Sequence, residues 1–240
     1  MKPMVRGTPK PPTHPLWPAE QWLARLPEVL AQTGLSATPD QQAKLAAYMA
    51  LLQRWNGTYN LTALRVPEEM LSHHLADCLV VVQPLMAHLQ ARGLGGGATT
   101  RAKVLDVGSG GGLPGVVLAI LCPGVVVTCV DTVGKKAAFI RQVSAELGLL
   151  PQLRAEHARV EQLKGQFDVI TSRAFASLND FTDWTAQLMG PGSHWMAMKG
   201  KAPADELALL PATVEVLRVD PLVVPGLDAE RCLVWMQPKA

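Results

Sequence analysis

Cysteine is scarce: four residues, at 78, 122, 129 and 232, with no C-x-x-C pair and no histidine at metal-ligand spacing. That excludes a zinc module and a disulfide framework, and leaves reduced thiols of the kind expected in a cytoplasm. Net charge is scarce too, +2 over 240 residues. The chain therefore lacks the global positive field of a stand-alone nucleic-acid coat, and any polyanion must be met by a local patch. The most apolar segment, VVLAILCPGVVVTCV, is cut by Pro123 and Gly124, which makes it a helix end followed by a strand and not a membrane span. The opening MKPMVRGTPKPPTHPLWP is basic but has no apolar core, so it does not read as a secretory signal. No internal repeat is visible. There is no phosphate-binding Walker sequence either, because Gly134-Lys135-Lys136 lacks the following Ser or Thr and a glycine at the right place upstream.

What is present is enough apolar sequence, 48% of residues, to bury a full core in one main domain. Residues 1–18 are proline-rich and without apolar periodicity, which predicts a disordered arm. Residues 19–92 read as a helical segment packed on the main domain. Thr38-Pro39-Asp40-Gln41 has the form of a capping box, and Leu45, Tyr48, Met49, Leu52 and Trp55 recur at helical spacing up to Asn56-Gly57. A second helical run starts at Pro67. Residues 93–100, GLGGGATT, predict a flexible linker, and 101–240 the main domain.

In that domain the period changes to alternating strands and helices. Strands are predicted at 103–107, 125–130, weakly at 152–155, then at 167–171 and 194–198. Helices fall at 114–121, 135–147, 160–163 and 177–189. Two late runs, 213–219 and 233–236, suit an antiparallel edge. Such an order implies an α/β, doubly wound, mostly parallel sheet that binds ligands at the carboxyl ends of its strands.

The stretch VLDVGSGGGLPG, 104–115, places five glycines between the first strand and its helix. Backbone can approach a ligand closely there, and the helix start offers unpaired N–H groups. Gly110, Gly112 and Gly115 satisfy G-x-G-x-x-G, and Asp131 follows Gly112 by 19 residues, so a dinucleotide is one candidate ligand. Asp106 points elsewhere. A carboxylate at the strand end repels a pyrophosphate but suits a ligand carrying an ammonium and a sulfonium, as S-adenosylmethionine does. Candidate cofactor contacts are thus Asp106, Gly108, Gly110 and Gly112, with Asp131 accepting from ribose hydroxyls of either nucleoside ligand.

Taken together and in order, RWNGTYNLTALRVPEEMLSHHLADCL, VLDVGSGGGLPG, DTVGKKAAFIRQV, RVE, FDVITSRAFASL and MKG resemble the RsmG family, also called glucose-inhibited division protein B, from about residue 20 to the carboxyl end. The resemblance implies a class I (Rossmann-like) methyltransferase that uses S-adenosylmethionine, releases S-adenosylhomocysteine, and modifies N7 of a guanine at position 527 of 16S rRNA. It also implies that Gly108 and Leu113 line the cofactor, that Asp131 meets the ribose and Val160 and Glu161 the adenine. Arg173 falls at the methionine or target side. Cys78, where the family has Ser after LAD, and Thr132, where it has Ser after the acid, are departures; neither touches the glycine loop.

Guanine N7 has a lone pair and no proton, so no general base is expected. His73 and His74, adjacent on a helix and pointing different ways, are assigned structural or RNA-facing roles. Trp55 is assigned to the core, and Asn56 and Asn60 to capping. Basic residues are local: Lys135, Lys136 and Arg141 on one helix, Arg154 and Arg159 nearby, and Lys199 and Lys201 after the fifth strand. Lys199, beside Gly200, is the substrate-side candidate, whereas Arg141 and Arg154 read as a solvated face. The expected partner is 16S rRNA within a small-subunit particle, met by a monomer in the cytoplasm without a metal or a membrane. Rivals are a small-molecule methyltransferase, a dinucleotide oxidoreductase and a non-catalytic assembly factor.

Overall fold

The computed structural model describes residues 15–96 and 101–239. Most of the expected arm and half of the expected linker lie outside these residues. The end of the arm departs from expectation: Trp17 is buried, packs edge-on against Trp22 with ring centroids 4.9 Å apart, and donates its backbone N–H to Gln53 at 3.0 Å. An indole at a proline-rich boundary has enough apolar area to order its neighbours.

Helix α1, Ala19–Gln32, buries Trp22, Leu26, Val29 and Leu30 along one stripe and carries Pro27 on its solvent face. Helix α2, Pro39–Tyr59, begins at the capping box: Thr38 Oγ1 accepts from the Gln41 N–H, and Gln41 Oε1 accepts from the Thr38 N–H at 2.9 Å. It runs past the end expected at Asn56-Gly57 because Asn56 is turned inward. Its amide donates to the Leu64 carbonyl at 2.7 Å and accepts from the Thr62 N–H at 2.9 Å. The helix instead stops at Asn60, in the left-handed region at φ 51°.

The run from Pro67 is not one regular helix. Helix α3, Pro67–Met70, passes into a π-turn over Leu71–Ala76, then α4, Asp77–Leu79, and α5, Val82–Ala91. Its apolar residues, among them Met70, Leu75, Leu79, Leu85 and Leu89, are buried in the same core as α1, α2 and the sheet. Length and composition would let this run cross a membrane, and its burial accounts for both.

Five strands are parallel: β1, Ala102–Val107; β2, Val125–Asp131; β3, Leu153–His157; β4, Phe167–Arg173; and β5, Met189–Lys199. Strands β6, Val214–Leu222, and β7, Arg231–Pro238, complete a seven-stranded sheet in the order β3-β2-β1-β4-β5-β7-β6. Strand β7 is antiparallel to both neighbours, as the two late runs predicted. Helices α6, Gly115–Leu121, and α7, Gly134–Glu146, pack with α1 and α2 over one face. Helix α8, Leu178–Thr185, covers part of the other, and a short α9 spans Ala204–Ala208. Helix α8 gives way at Thr185 to a 3₁₀ turn, Ala186–Leu188, so the helical run ends one residue before expectation; the Thr185 hydroxyl bonds the Phe181 carbonyl at 2.6 Å and accepts from the Trp195 indole at 2.8 Å. Between β1 and β4 the chain order reverses, the place where such sheets open a ligand crevice.

Candidate active site

The register aligns strand ends at this crevice: Val107 lies beside Val130 on one side and Ser172 on the other. A cleft of about 390 Å³ opens there, lined by Gly108, Asp131, Lys136, Val160, Glu161, Phe175 and Trp184 among others. Of the glycine loop, Gly108 lines it, and Gly110 stands behind, with its N–H on Asp131. Gly108 stands at φ +66°, and a Cβ there would come within 2.3 Å of Phe175, so the loop can hold this close packing only as glycine.

Asp131 is 7% exposed and is held from two sides. Its Oδ2 accepts from the Gly110 N–H at 3.0 Å and its Oδ1 from the Val133 N–H at 2.9 Å. Lys136 Nζ approaches Oδ2 at 3.5 Å. Oδ1, with a single donor, keeps a further lone pair for a ligand hydroxyl. The apolar wall of Val107, Val130, Val160 and Phe175, closed by two acids, fits the chemistry of an adenosine-type group.

Asp106, Gly112 and Leu113 stand elsewhere than the cofactor wall expected of them. Asp106 is wholly buried beneath the loop, where one oxygen accepts from the Gly115 N–H at 2.8 Å and the other has no partner among the described residues. Burial pushes its pKa up to about 7. Gly112 is packed on Val116 at the start of α6, and Leu113 is buried in the helical core. The reason is the sharp turn from strand into helix, which brings Gly115 onto Asp106 and packs Gly112 and Leu113 against the start of α6 and the helical core.

Helix α2 supports the loop from below. The buried Tyr48 hydroxyl donates to the Gly111 carbonyl at 2.7 Å, and Leu52 fills the space that a Gly111 side chain would occupy. Tyr48→Phe is expected to cost roughly 1–2 kcal/mol by leaving that carbonyl unpaired. It should also weaken cofactor binding several-fold, as thermal melts and calorimetry would show.

A second cleft, about 280 Å³, lies across the joint residue Ala174, which lines both clefts and holds a positive φ of 52°. Strain of this kind in a non-glycine residue persists where the surroundings enforce it. Here Arg173 and Lys199 come together with Arg231 and Asp77. Asp77, 3% exposed, binds both arginines: its Oδ2 accepts from Arg173 Nη1 at 3.2 Å and its Oδ1 from Arg231 Nε at 3.0 Å. Arg173 also donates to the His73 carbonyl at 3.0 Å, within the π-turn. Lys199 Nζ is paired with Glu206 at 2.7 Å and bonds the Ala176 carbonyl at 3.0 Å. Arg173 thus belongs to the second, cationic cleft and not to the Asp131 cleft.

His74 is buried and hydrogen-bonded to Thr62. Burial, and then the charge of Arg173, lower its pKa to about 4. Between pH 6.5 and 4 the unfolded chain therefore takes up a proton that the folded chain refuses. The stability present above pH 6.5 is lost as pH falls through that window, by up to about 3 kcal/mol. Asp106 works with the opposite sign, its contribution being full below the unfolded carboxyl value of 3.8 and lost as pH rises through about 7. Denaturant melts should accordingly show His74→Gln gaining on the wild type toward pH 4.5, and Asp106→Asn gaining toward pH 8.

The expected basic helix patch is dispersed. Lys136 faces Asp131, while Arg141 Nε bonds the Ala155 carbonyl at 3.1 Å, because residues one and five positions apart on a helix point in different directions. Asp77, Arg231, Tyr48, Phe175 and Trp184 were not marked out as site residues by sequence. Asp77 did leave a signal, a lone carboxylate in the apolar run HHLADCLVVV, where burial demands a cationic partner. Trp184 left none.

A doubly wound sheet in the order 3-2-1-4-5-7-6 with an antiparallel β7, a glycine loop at its switch point and an acid ending the second strand has the architecture of a class I methyltransferase. At the level of fold it resembles the crystal structure of TrmN from Thermus thermophilus, with a TM-score of 0.52 and 18% identity over 68% of this chain and 49% of that one. Residues 41–234 match the rRNA small subunit methyltransferase G family. The chain is 57% identical over 207 residues to ribosomal RNA small subunit methyltransferase G of Acidovorax ebreus (strain TPSY), covering 86% of this chain and 91% of the relative. With the Bordetella avium (strain 197N) protein of the same name it shares 54% over 214 residues, 89% of this chain and 92% of the relative. The chain belongs to the rRNA small subunit methyltransferase G family.

Proposed function

We propose that the protein methylates N7 of a guanine in 16S rRNA, at position 527, with S-adenosylmethionine as donor. Asp131 would hold the ribose, Val160 and Glu161 the adenine, and Gly108 the backbone approach. The donor supplies an electrophilic methyl group. The observation that carries the choice of N7 is the state of the second cleft. Its one lining carboxylate, Asp77, is tied to two arginines, and Glu206 beside it is tied to Lys199. No carboxylate there is free to take a proton, and His74, lowered to about 4, is engaged with Thr62. A nucleophile that attacks with a free ring lone pair and has no proton to lose, as guanine N7 does, suits a cleft without a free base. The cations of that cleft would grip phosphates beside the target and hold the base in line.

The expected substrate is the small-subunit particle, met by a monomer in the cytoplasm, since a folded RNA element gives specificity that the small net charge cannot. Transfer of labelled methyl from S-adenosylmethionine to particles lacking the modification tests the proposal. Label recovered as 7-methylguanosine is expected. Label on an exocyclic amine or a ribose hydroxyl would overturn the choice of N7.

A further inference from the structure

The face of the sheet opposite α6 and α7 is only partly covered. Along β1 to β3, side chains alternate between faces. Ala102, Val104, Val125, Val127 and Leu153 are buried on the helical side, while Lys103, Arg154 and Glu156 are exposed on the other. A doubly wound sheet normally carries helices on both faces. Here the connection from β3 to β4, residues 158–166, contains a single 3₁₀ turn, Val160–Gln162, so no helix of its own covers this half.

The result is an open groove of about 530 Å³ at the amino-terminal halves of the strands, larger than the cofactor cleft. Arg101, Lys103, Arg154 and Lys164 line it, with the Thr128 hydroxyl on its floor and Glu156 as its one lining carboxylate. None of the four cations forms an ion pair among the described residues. Asp168, alongside, is engaged by the backbone N–H of Lys103 at 2.7 Å. Four cations against two carboxylates, Glu156 in the lining and Asp168 alongside, in a chain whose net charge is only +2, make a local positive field. Arg154 is exposed, as expected, and stands on strand β3 in the lining of this groove.

We infer that this groove binds the sugar-phosphate backbone of the rRNA substrate, away from the nucleotide being methylated. The inference rests on the rRNA reading above. Lys103 precedes Gly108 by five residues of β1 and its turn, about 16 Å, so RNA in the groove and the base at the catalytic end are different nucleotides. Contacts of this kind fix orientation and register without reading sequence. They also supply locally the attraction that the overall charge does not.

The test is steady-state methylation of unmodified small-subunit particles by the triple variant Arg101→Ala, Arg154→Ala, Lys164→Ala over a range of salt concentrations. KM should rise at least about tenfold and kcat stay within about twofold. The log–log salt dependence of kcat/KM should become shallower by about 2, at roughly 0.7–0.9 per lost phosphate contact. Affinity for deproteinised 16S rRNA should fall in parallel, while calorimetric binding of S-adenosylmethionine is unchanged. Glu156→Gln is expected to act in the opposite direction, lowering KM about two- to threefold, which a merely destabilising change cannot do. Unchanged KM and salt slope in the triple variant would overturn the inference. So would a KM rise on particles with unchanged affinity for bare rRNA, which would assign the groove to an acidic protein. If the triple variant does not fold, Glu156→Gln decides, and an unaltered KM overturns the inference. Absence of methylation by the wild type would instead strike the parent reading, leaving rRNA affinity to judge the groove.

Discussion

Gly108→Val is expected to lower affinity for S-adenosylmethionine by at least roughly a hundredfold, on the order of 3 kcal/mol. Two effects combine. A β-branched residue at φ +66° pays about 1–3 kcal/mol in backbone strain, and its Cβ would lie 2.3 Å from Phe175 Cδ2. Phe175 must move or the loop must open, and either change reshapes the floor of the cleft. Gly148 offers a matched control, because its φ is +65° and nothing lies within 4 Å of a Cβ built there. Gly148→Val should therefore carry the backbone strain, with a similar fall in Tm, and leave cofactor affinity within about twofold. Calorimetric titration of both variants separates loop strain from site geometry. Equal affinities in the two variants would remove the glycine loop from the cofactor site.

Asp77→Ala should have the second large effect, on stability as well as turnover. Asp77 holds Arg173 and Arg231 on separate oxygens, and its removal leaves two guanidinium groups facing each other in a partly desolvated cleft. Breaking a buried ion pair from one side costs roughly 3 kcal/mol, which for a chain of this size lowers Tm by about 10 °C. Turnover on particles should fall about a hundredfold, because the arginines lose the anchor that aims them. The double variant Asp77→Ala, Arg231→Met distinguishes the two contributions. Replacing one uncompensated cation with an apolar chain should restore much of the Tm and none of the turnover. If Asp77→Ala melts within about 2 °C of the wild type, the ion-pair account of this cleft fails.

Much of the fold was legible because its signals are local. The capping box at Thr38, the glycine loop after an apolar strand and the alternation of strand and helix each depend on neighbours within a few residues. The antiparallel edge was legible for the same reason. Where expectation and structure part, a distant contact intervenes. Asn56 looks like a helix end in sequence, but the loop at Thr62 and Leu64 draws its amide inward and lets α2 run on to Tyr59. The helical pattern from Pro67 is broken by a π-turn whose freed His73 carbonyl meets Arg173, a hundred residues away. Asp106 was placed toward a bound cation by its position at the strand end, and the packing of Gly115 turns it beneath the loop.

The sequence by itself determined the order of the elements, the glycine loop and the acid at the end of β2, since each is specified by residue type at short spacing. Only the tertiary structure decided how the functional side chains divide. It put Arg173 with Lys199, Arg231 and Asp77 in one cleft and Asp131 with Lys136, Phe175 and Trp184 in another. It also left one half of a sheet face bare and lined with cations. The physical reason is the same in each case. Strand register and crossover length set which side chains share a surface, and both depend on pairings between segments far apart in the chain.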